Sequence, residues 1–348
     1  MAKRVKGASI KIYFYDQLRM VATLSVLFIH LSGWFLIQRA DPSVLYVFLA
    51  NISRFAVPMF VFLAAALFYL KYSDKKIIKK GYYASRFRKI LIPYLAVSVI
   101  YYVYRLSPLV SPKQKISFSG WENLFDFGKL FLTVGVFSHL YFVPLILMFY
   151  FVAPYLVDLI KRHRTAIMLA LVSSNIVFVA LMNYLNVERL YWRWTIFPYL
   201  IYVIFGFIFS DYYEKIKKTE KKNIFAGLVT VLVAIFFIYQ PYNKGLFEFF
   251  GFSSYVYDSL FGLFWISLFL LFKFPEKINK IITFLSQKSF GIYLFHYLFI
   301  DLLFSLIGKG YFNLRLNVFT YPVLLVVVPV LSLIAYYPIE YLLNYKRK

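Results

Sequence analysis

Apolar runs of roughly twenty residues follow one another along almost the whole chain, each as long as an α-helix that crosses the hydrocarbon core of a bilayer. They fall near 14–37, 45–70, 90–106, 138–160, 166–185, 195–213, 224–240, 256–274, 289–307 and 319–343. The runs are unbroken and lack the alternation of a membrane β-barrel. The fold expected is all-α: a polytopic integral membrane bundle of about ten transmembrane helices. Composition agrees, because 62% of the 348 residues are hydrophobic, more than a soluble core would hold. With no soluble domain, internal repeat or low-complexity tract in view, residues 1–348 read as a single transmembrane domain. The basic segment 1–11 leads into an apolar run without a small-residue cleavage site, so that run reads as a permanent first span.

A net charge of +24 could point to nucleic acid. Its distribution points elsewhere. Of the 39 Lys and Arg, 27 lie in segments 1–11, 71–89, 161–164, 215–222, 273–288 and the tail 346–348. The alternate loops, 38–44, 107–137, 186–194, 240–255 and 308–318, hold 9, and only Arg19, Arg54 and Arg105 fall inside apolar runs. The positive-inside rule then predicts both termini in the cytoplasm of a cell whose membrane holds the chain, and no nucleic-acid partner is expected. Trp34, Trp121, Trp192 and Trp194 all fall at the predicted outer boundary. In the longest outer loop, Trp121, Phe125, Phe127, Leu130 and Phe131 are spaced for a short amphipathic helix lying on the membrane. There is no cysteine, which excludes disulfides, thiol nucleophiles and Cys-ligated metals. No metal is expected.

Ionisable groups inside a membrane cost roughly 2.5–3.5 kcal/mol each on insertion scales and mark functional sites. In the first run, Asp16, Arg19, Thr23 and His30 form one polar stripe on a helix. Arg19 and His30 share a face and stand about 16 Å apart along the axis. The stripe suits a catalytic or transport cavity; the plainer alternative is an interfacial Asp16–Arg19 ion pair with His30 bonded between helices. Arg54 lies in the second run at a depth similar to His30, with Pro58 loosening the helix; a snorkelling arginine is the alternative. His139 opens the fourth run, where a structural role is the alternative. His296 lies in the ninth. Asp301 follows it by five residues, about 140° round a helix, so the two are not expected to work as a pair. Arg86, Arg88 and Lys89 stand at the cytoplasmic mouth of the third run. They could serve topology and anionic lipid, or hold phosphates in bidentate fashion. His163 sits in a basic loop and is expected to be solvated. The nucleotide, dinucleotide, zinc-protease and serine-hydrolase motifs are absent.

Arg19 and His30 with ten residues between them, Arg54-Phe55-Ala56-Val57-Pro58-Met59-Phe60, Arg86-x-Arg88-Lys89-Ile90-Leu91-Ile92-Pro93, His139-Leu140-Tyr141-Phe142 and Ser289-Phe290-Gly291-Ile292-Tyr293-Leu294-Phe295-His296 occur in this order along nearly the whole chain. Together they resemble the acyltransferase-3 family of membrane acyltransferases. Within it the chain looks nearest the stand-alone intercellular-adhesion type, regarded as O-succinyltransferases of poly-N-acetylglucosamine. Two positions depart from the common pattern: Leu63-Ala64-Ala65 stands in place of Leu-Ser-Gly, and Tyr141 in place of Trp.

The resemblance implies transfer of an acyl group, acetyl or succinyl, from cytoplasmic acyl-CoA to a hydroxyl of an extracytoplasmic or lipid-linked polysaccharide. It implies His30 and Arg19 as catalytic residues, with Arg86, Arg88 and Arg19 on the acyl-CoA and Arg54, His139 and His296 on the substrate. A neutral imidazole at His30 would serve as general base or as a brief acyl carrier. Membrane lipid, the glycan acceptor and the polysaccharide synthase machinery are the implied partners. The rival reading from a different class is an exporter or flippase of a polysaccharide or lipid-linked sugar. Against it, no matching pair of broken helices occurs in the two halves of the chain.

Overall fold

The computed structural model describes residues 13–37, 44–73, 79–110, 136–218, 253–271, 274–311 and 317–345, and a few isolated positions between them. Among these residues the chain is helical and contains no strand. The helices are α1 (Tyr13–Ile37), α2 (Val44–Ile52), α3 (Ala56–Tyr72), α4 (Lys79–Arg86), α5 (Ile92–Leu106), α6 (Phe142–Tyr184), α7 (Leu200–Lys218), α8 (Ser253–Leu271), α9 (Glu276–Gly308) and α10 (Thr320–Tyr345). A π-helical turn, Phe87–Leu91, joins α4 to α5. Six helical segments are long and apolar enough to span a membrane: Tyr13–Ile37, Leu45–Tyr72, Gly81–Leu106, Phe142–Tyr184, Glu276–Gly308 and Thr320–Asn344. Phe197–Tyr213 and Ser259–Leu271 are shorter apolar helices. The chain is a multi-pass membrane protein. The expected run 224–240 and most of the expected amphipathic segment around Trp121 lie outside the described residues.

Two expected spans, 138–160 and 166–185, make up one helical stretch of 43 residues that is two helices joined at a kink. At 1.5 Å per residue that is roughly 64 Å, about twice the thickness of a hydrocarbon core. The helix breaks at His163, whose φ of −136° and ψ of 55° are not helical. The break falls within the basic Lys161-Arg162-His163-Arg164 segment, and His163 is exposed there. Arg164 is held by Asp211 of α7 at 2.6 Å.

A second break lies at Arg54. Residues 53–55 form a turn between α2 and α3, so Arg54 is an exposed turn residue inside the span Leu45–Tyr72. Pro58 supplies the cause: it has no N–H for the carbonyl four residues back, which is that of Arg54, and its ring crowds that carbonyl.

The first helix is the axis of the bundle. It packs against α2, α3, α8, α9 and α10, and buries Leu18, Ala22, Leu27, Leu31 and Phe35 on different faces. A helix enclosed by five others belongs to the interior. By contrast α5, α6 and α10 leave Val103, Phe151, Val177, Val326 and Ile334 uncovered. In a membrane such surfaces meet lipid.

Small residues bring α3 and α7 together. A Cβ added at Gly206 would lie 2.6 Å from the Phe62 carbonyl oxygen, 2.8 Å from Ala65 Cβ and 2.9 Å from Ala66 N. One turn on, Ser210 Oγ donates across the same interface to the Ala66 carbonyl at 3.0 Å. Gly291 on α9 plays a similar part, since the Tyr336 ring of α10 occupies the space a side chain would need. Polar ties fix the register of the interior helices: Gln17 donates to Asn279 at 2.8 Å, and Lys288 reaches Glu340 at 2.6 Å.

Candidate active site

The polar stripe of α1 divides between two places. At its first end, Asp16 accepts hydrogen bonds from Ser286 Oγ at 2.9 Å and Thr283 Oγ1 at 3.1 Å. Arg19 donates to Asp16 at 3.3 Å and to Ser286 at 3.1 Å. The Asp16–Arg19 ion pair is therefore present within α1, and Ser286 and Thr283 tie it to α9. It does not exhaust the guanidinium, which also lines a cavity.

That cavity, of about 410 Å³, is bounded by α1, α3, the Arg86–Ile90 segment, the first half of α6 and α9. Arg19, Lys71, Arg86 and Lys89 supply four positive charges to its wall, and Leu63, Leu67, Phe68 and Ile146 supply apolar surface. Arg86 is held over the rings of Tyr150, at 4.2 Å, and Tyr82, at 5.3 Å. Its Nε is buried with no protein partner. Arg88 lies elsewhere: it donates to the Leu343 carbonyl at 2.7 Å, satisfying the end of α10. Residues two apart on a helix point to nearly opposite sides, so Arg86 and Arg88 do not form a clamp. Lys71 and Lys89 join Arg86 and Arg19 instead.

At the other end of the stripe, His30 meets the two histidines named from distant segments. His139 lies in the turn before α6 and His296 in the middle of α9. Ring centroids are 5.1 Å apart for His30 and His296, 4.9 Å for His139 and His296, and 6.2 Å for His30 and His139. Tyr297 completes the group, 4.9 Å from His30 and stacked on His139 at 5.2 Å. His139 and His296 are buried, while His30 is partly accessible.

Hydrogen bonds orient two of the imidazoles. His296 Nδ1 donates to the Tyr293 carbonyl at 2.7 Å. A carbonyl only accepts, so Nδ1 carries the ring proton and Nε2 presents a bare lone pair. That Nε2 is buried and has no protein partner. The Tyr101 oxygen accepts the Leu298 N–H at 2.8 Å and lies 3.4 Å from His139 Nε2.

Tyr293 and Phe142 stand between the cationic cavity and the histidines. Both line the cavity, and their rings are 5.6 Å apart. Tyr293 also touches His139 and His296, at 5.7 and 6.1 Å between rings, and its hydroxyl donates to the His139 carbonyl at 2.5 Å. Tyr293 and Phe142 thus lie as an aromatic partition between the cavity that Arg19 lines and the cluster that holds His30.

Several of these residues escaped the sequence reading. Tyr293 lies three positions before His296, on the same helical face, and that spacing could have revealed it. Arg193, between Trp192 and Trp194, is a basic residue in a loop otherwise poor in them. Its guanidinium lies 4.4 Å over Tyr141 and donates to the Ser138 carbonyl at 3.1 Å, beside the turn that carries His139. Asp301 is fully buried and accepts from Tyr104 at 2.7 Å, and no bond links it to His296. Arg54 is exposed in the turn between α2 and α3. Among the described residues no group of His, Asp or Glu is placed to hold a metal ion.

A cationic cavity leading to a cluster of imidazoles can bind an anion at one end and run general acid–base or nucleophilic chemistry at the other. The comparison with protein families agrees with that chemistry. The acyltransferase-3 family model, described as an acyltransferase domain, matches residues 12–337. No curated protein and no solved structure matches the chain. The match covers both α1, with Arg19 and His30, and the α9 segment that ends in His296, so the chain belongs to the acyltransferase-3 family and is a membrane acyltransferase.

Proposed function

We propose that the protein moves an acetyl or succinyl group from cytoplasmic acyl-CoA to a hydroxyl of an extracytoplasmic or lipid-linked polysaccharide, from within the bacterial plasma membrane. The observation that carries this reading is the division of one helix between two sites: Arg19 on the cationic cavity and His30 in the histidine cluster. The positive-inside pattern supports a cytoplasmic mouth for the cavity and a bundle of about ten spans with both ends inside. Arg86, Lys71, Lys89 and Arg19 then meet the phosphates of the donor, a cytoplasmic polyanion. The pantetheine arm extends along the apolar wall, and the acyl group passes Phe142 and Tyr293 to reach the imidazoles. His30, the partly accessible member of the cluster, acts on the acyl transfer as base or carrier. The resemblance to the intercellular-adhesion type makes poly-N-acetylglucosamine the first acceptor to test.

The test uses the purified protein in lipid nanodiscs with radiolabelled acetyl-CoA or succinyl-CoA and an N-acetylglucosamine oligosaccharide. Label transferred to the sugar by the wild type and lost in a well-folded His30→Ala variant is the expected result. Full transfer by that variant would remove His30 from the chemistry. Sugar moved across a vesicle bilayer without acylation would favour the exporter. Mass spectrometry of surface glycans from cells with and without the gene identifies the transferred group.

A further inference from the structure

Asp301 is a buried ionisable group that the proposed mechanism leaves unused. It is fully buried on α9, inside a helix long and apolar enough to span the membrane. A carboxyl group in that position is costly, and such residues mark ion and proton pathways. Tyrosine hydroxyls lie about it. Tyr104 of α5 donates to Asp301 Oδ2 at 2.7 Å, and Tyr101 and Tyr297 are near enough to act on it electrostatically. Tyr293, Tyr297 and Asp301 follow one another at intervals of four along one face of α9. That face runs from the aromatic partition, past the Tyr297 ring 4.9 Å from His30, to the carboxyl group. Tyr104 is partly accessible near the end of α5, and Arg105 beside it donates to the Val136 carbonyl at 3.0 Å.

Charge is distributed unequally along this face. Arg19, Lys71, Arg86 and Lys89 line the cavity on one side of the partition, and Asp301 lies beyond the histidines on the other. Arg193 acts on His30 as a further cation. A proton released at His30 is repelled from the cavity and drawn toward the carboxylate.

We propose that Asp301 receives the proton that the acceptor hydroxyl gives up on acylation, and that Tyr104 passes it on to the outer face. A phenolic hydroxyl both accepts and donates, so it can hand a proton on. In the transfer, the hydroxyl oxygen bonds to the acyl carbon, the carbon–sulfur bond of the thioester breaks, and its electron pair leaves with sulfur. The hydroxyl proton goes to His30, then to Asp301, then to outer water. The thiolate of coenzyme A takes its proton from cytoplasmic water. Each turnover therefore consumes one proton inside and releases one outside, a movement that an inside-negative membrane potential opposes. This inference rests on the proposed function and its orientation, and adds the route of the proton.

The test reconstitutes the protein in liposomes with penta-N-acetylglucosamine and the pH dye pyranine trapped inside, and adds labelled acetyl-CoA outside. Only molecules with the cationic mouth outward turn over, so the lumen stands for the outer face. The wild type is expected to acidify the lumen by one proton per acetyl group transferred. It should slow several-fold when valinomycin and a potassium gradient make the acetyl-CoA side negative by about 100 mV. Asp301→Asn, whose amide oxygen still accepts from Tyr104, is expected to lower kcat about tenfold to a hundredfold, with KM for both substrates unchanged. Tyr104→Phe should slow turnover likewise, and Asp301→Glu, which keeps the acid, should retain more activity than Asp301→Asn.

Labelled sugar formed without acidifying the lumen, or at a rate indifferent to the potential, would overturn the proposal and send the proton to sulfur within the protein. Wild-type kcat in Asp301→Asn or Tyr104→Phe would overturn the relay. Asp301→Asn more active than Asp301→Glu would do the same and leave Asp301 a structural partner of Tyr104. No labelled sugar from the wild type would bring down the proposed function itself, and this inference with it.

Discussion

Replacing Gly206 with alanine adds one methyl group, and the place where it lands makes the effect large. The new Cβ would sit 2.6 Å from the Phe62 oxygen, 2.8 Å from Ala65 Cβ and 2.9 Å from Ala66 N. Ordinary contact requires 3.4 Å or more. None of the three neighbours is the end of a flexible side chain, so the helices α3 and α7 must part by roughly 0.8 Å, on the scale of contact distances in close-packed interiors. That movement would stretch the 3.0 Å bond from Ser210 to Ala66 beyond bonding range. Overpacking costs about 1–3 kcal/mol, and an interhelical hydrogen bond in a membrane protein about 0.6 kcal/mol. With up to about 1 kcal/mol returned by the helix preference of alanine, the expected net destabilisation is about 1–3 kcal/mol. Reversible unfolding in mixed micelles at increasing mole fraction of SDS measures it. Gly33→Ala is the control: its Cβ would meet nothing within 4 Å, and alanine favours a helix by up to about 1 kcal/mol over glycine. Since α3 also carries cavity residues from Phe60 to Lys71, acyl-CoA affinity should weaken in Gly206→Ala as well. Equal stability for Gly206→Ala and Gly33→Ala would refute the close-packing argument.

The placement of the arginines gives a second contrast. Arg86→Ala should raise KM for acyl-CoA by roughly ten- to hundredfold, the loss of a charge-assisted contact worth about 1.5–3 kcal/mol. Arg88→Ala should leave that KM near its wild-type value and lower stability modestly, through the orphaned Leu343 carbonyl. Steady-state kinetics and unfolding on the two variants decide. Tyr293→Phe keeps the ring that lines the cavity but removes the donor to the His139 carbonyl. It should lower kcat several-fold through a less well-fixed His139, with little change in KM for the donor, and wild-type kcat would show that the bond does not position the turn.

The elements legible in the sequence were those that depend on local period. The apolar runs gave the helices, and the 3.6-residue repeat put Asp16, Arg19, Thr23 and His30 on one stripe, which the fold keeps. What the sequence could not supply was the company each residue keeps. His30, His139 and His296 come from segments more than a hundred residues apart, and only packing of α1, α6 and α9 makes them neighbours. The Arg86–Arg88 pair looked like a clamp in one dimension, yet a helix turns residues two apart away from each other. Arg54 was read into the second span with Pro58 loosening the helix, and the fold shows that loosening as a turn at 53–55. The break at His163 was easier to place, because a basic tetrapeptide inside so long an apolar stretch is where a chain reverses in a membrane.

The aromatic partition formed by Phe142 and Tyr293 has a consequence for the cell as well as for the enzyme. A catalyst that draws one reactant from each side of a bilayer invites a leak: a continuous thread of water between the two would conduct protons and run down the ion gradient. Two rings in contact deny water that thread. A flexible acyl chain can slide past rotating side chains one methylene at a time, whereas a hydrated ion would have to shed its shell to follow. On the function proposed above, group transfer and electrical insulation would be reconciled in two side chains.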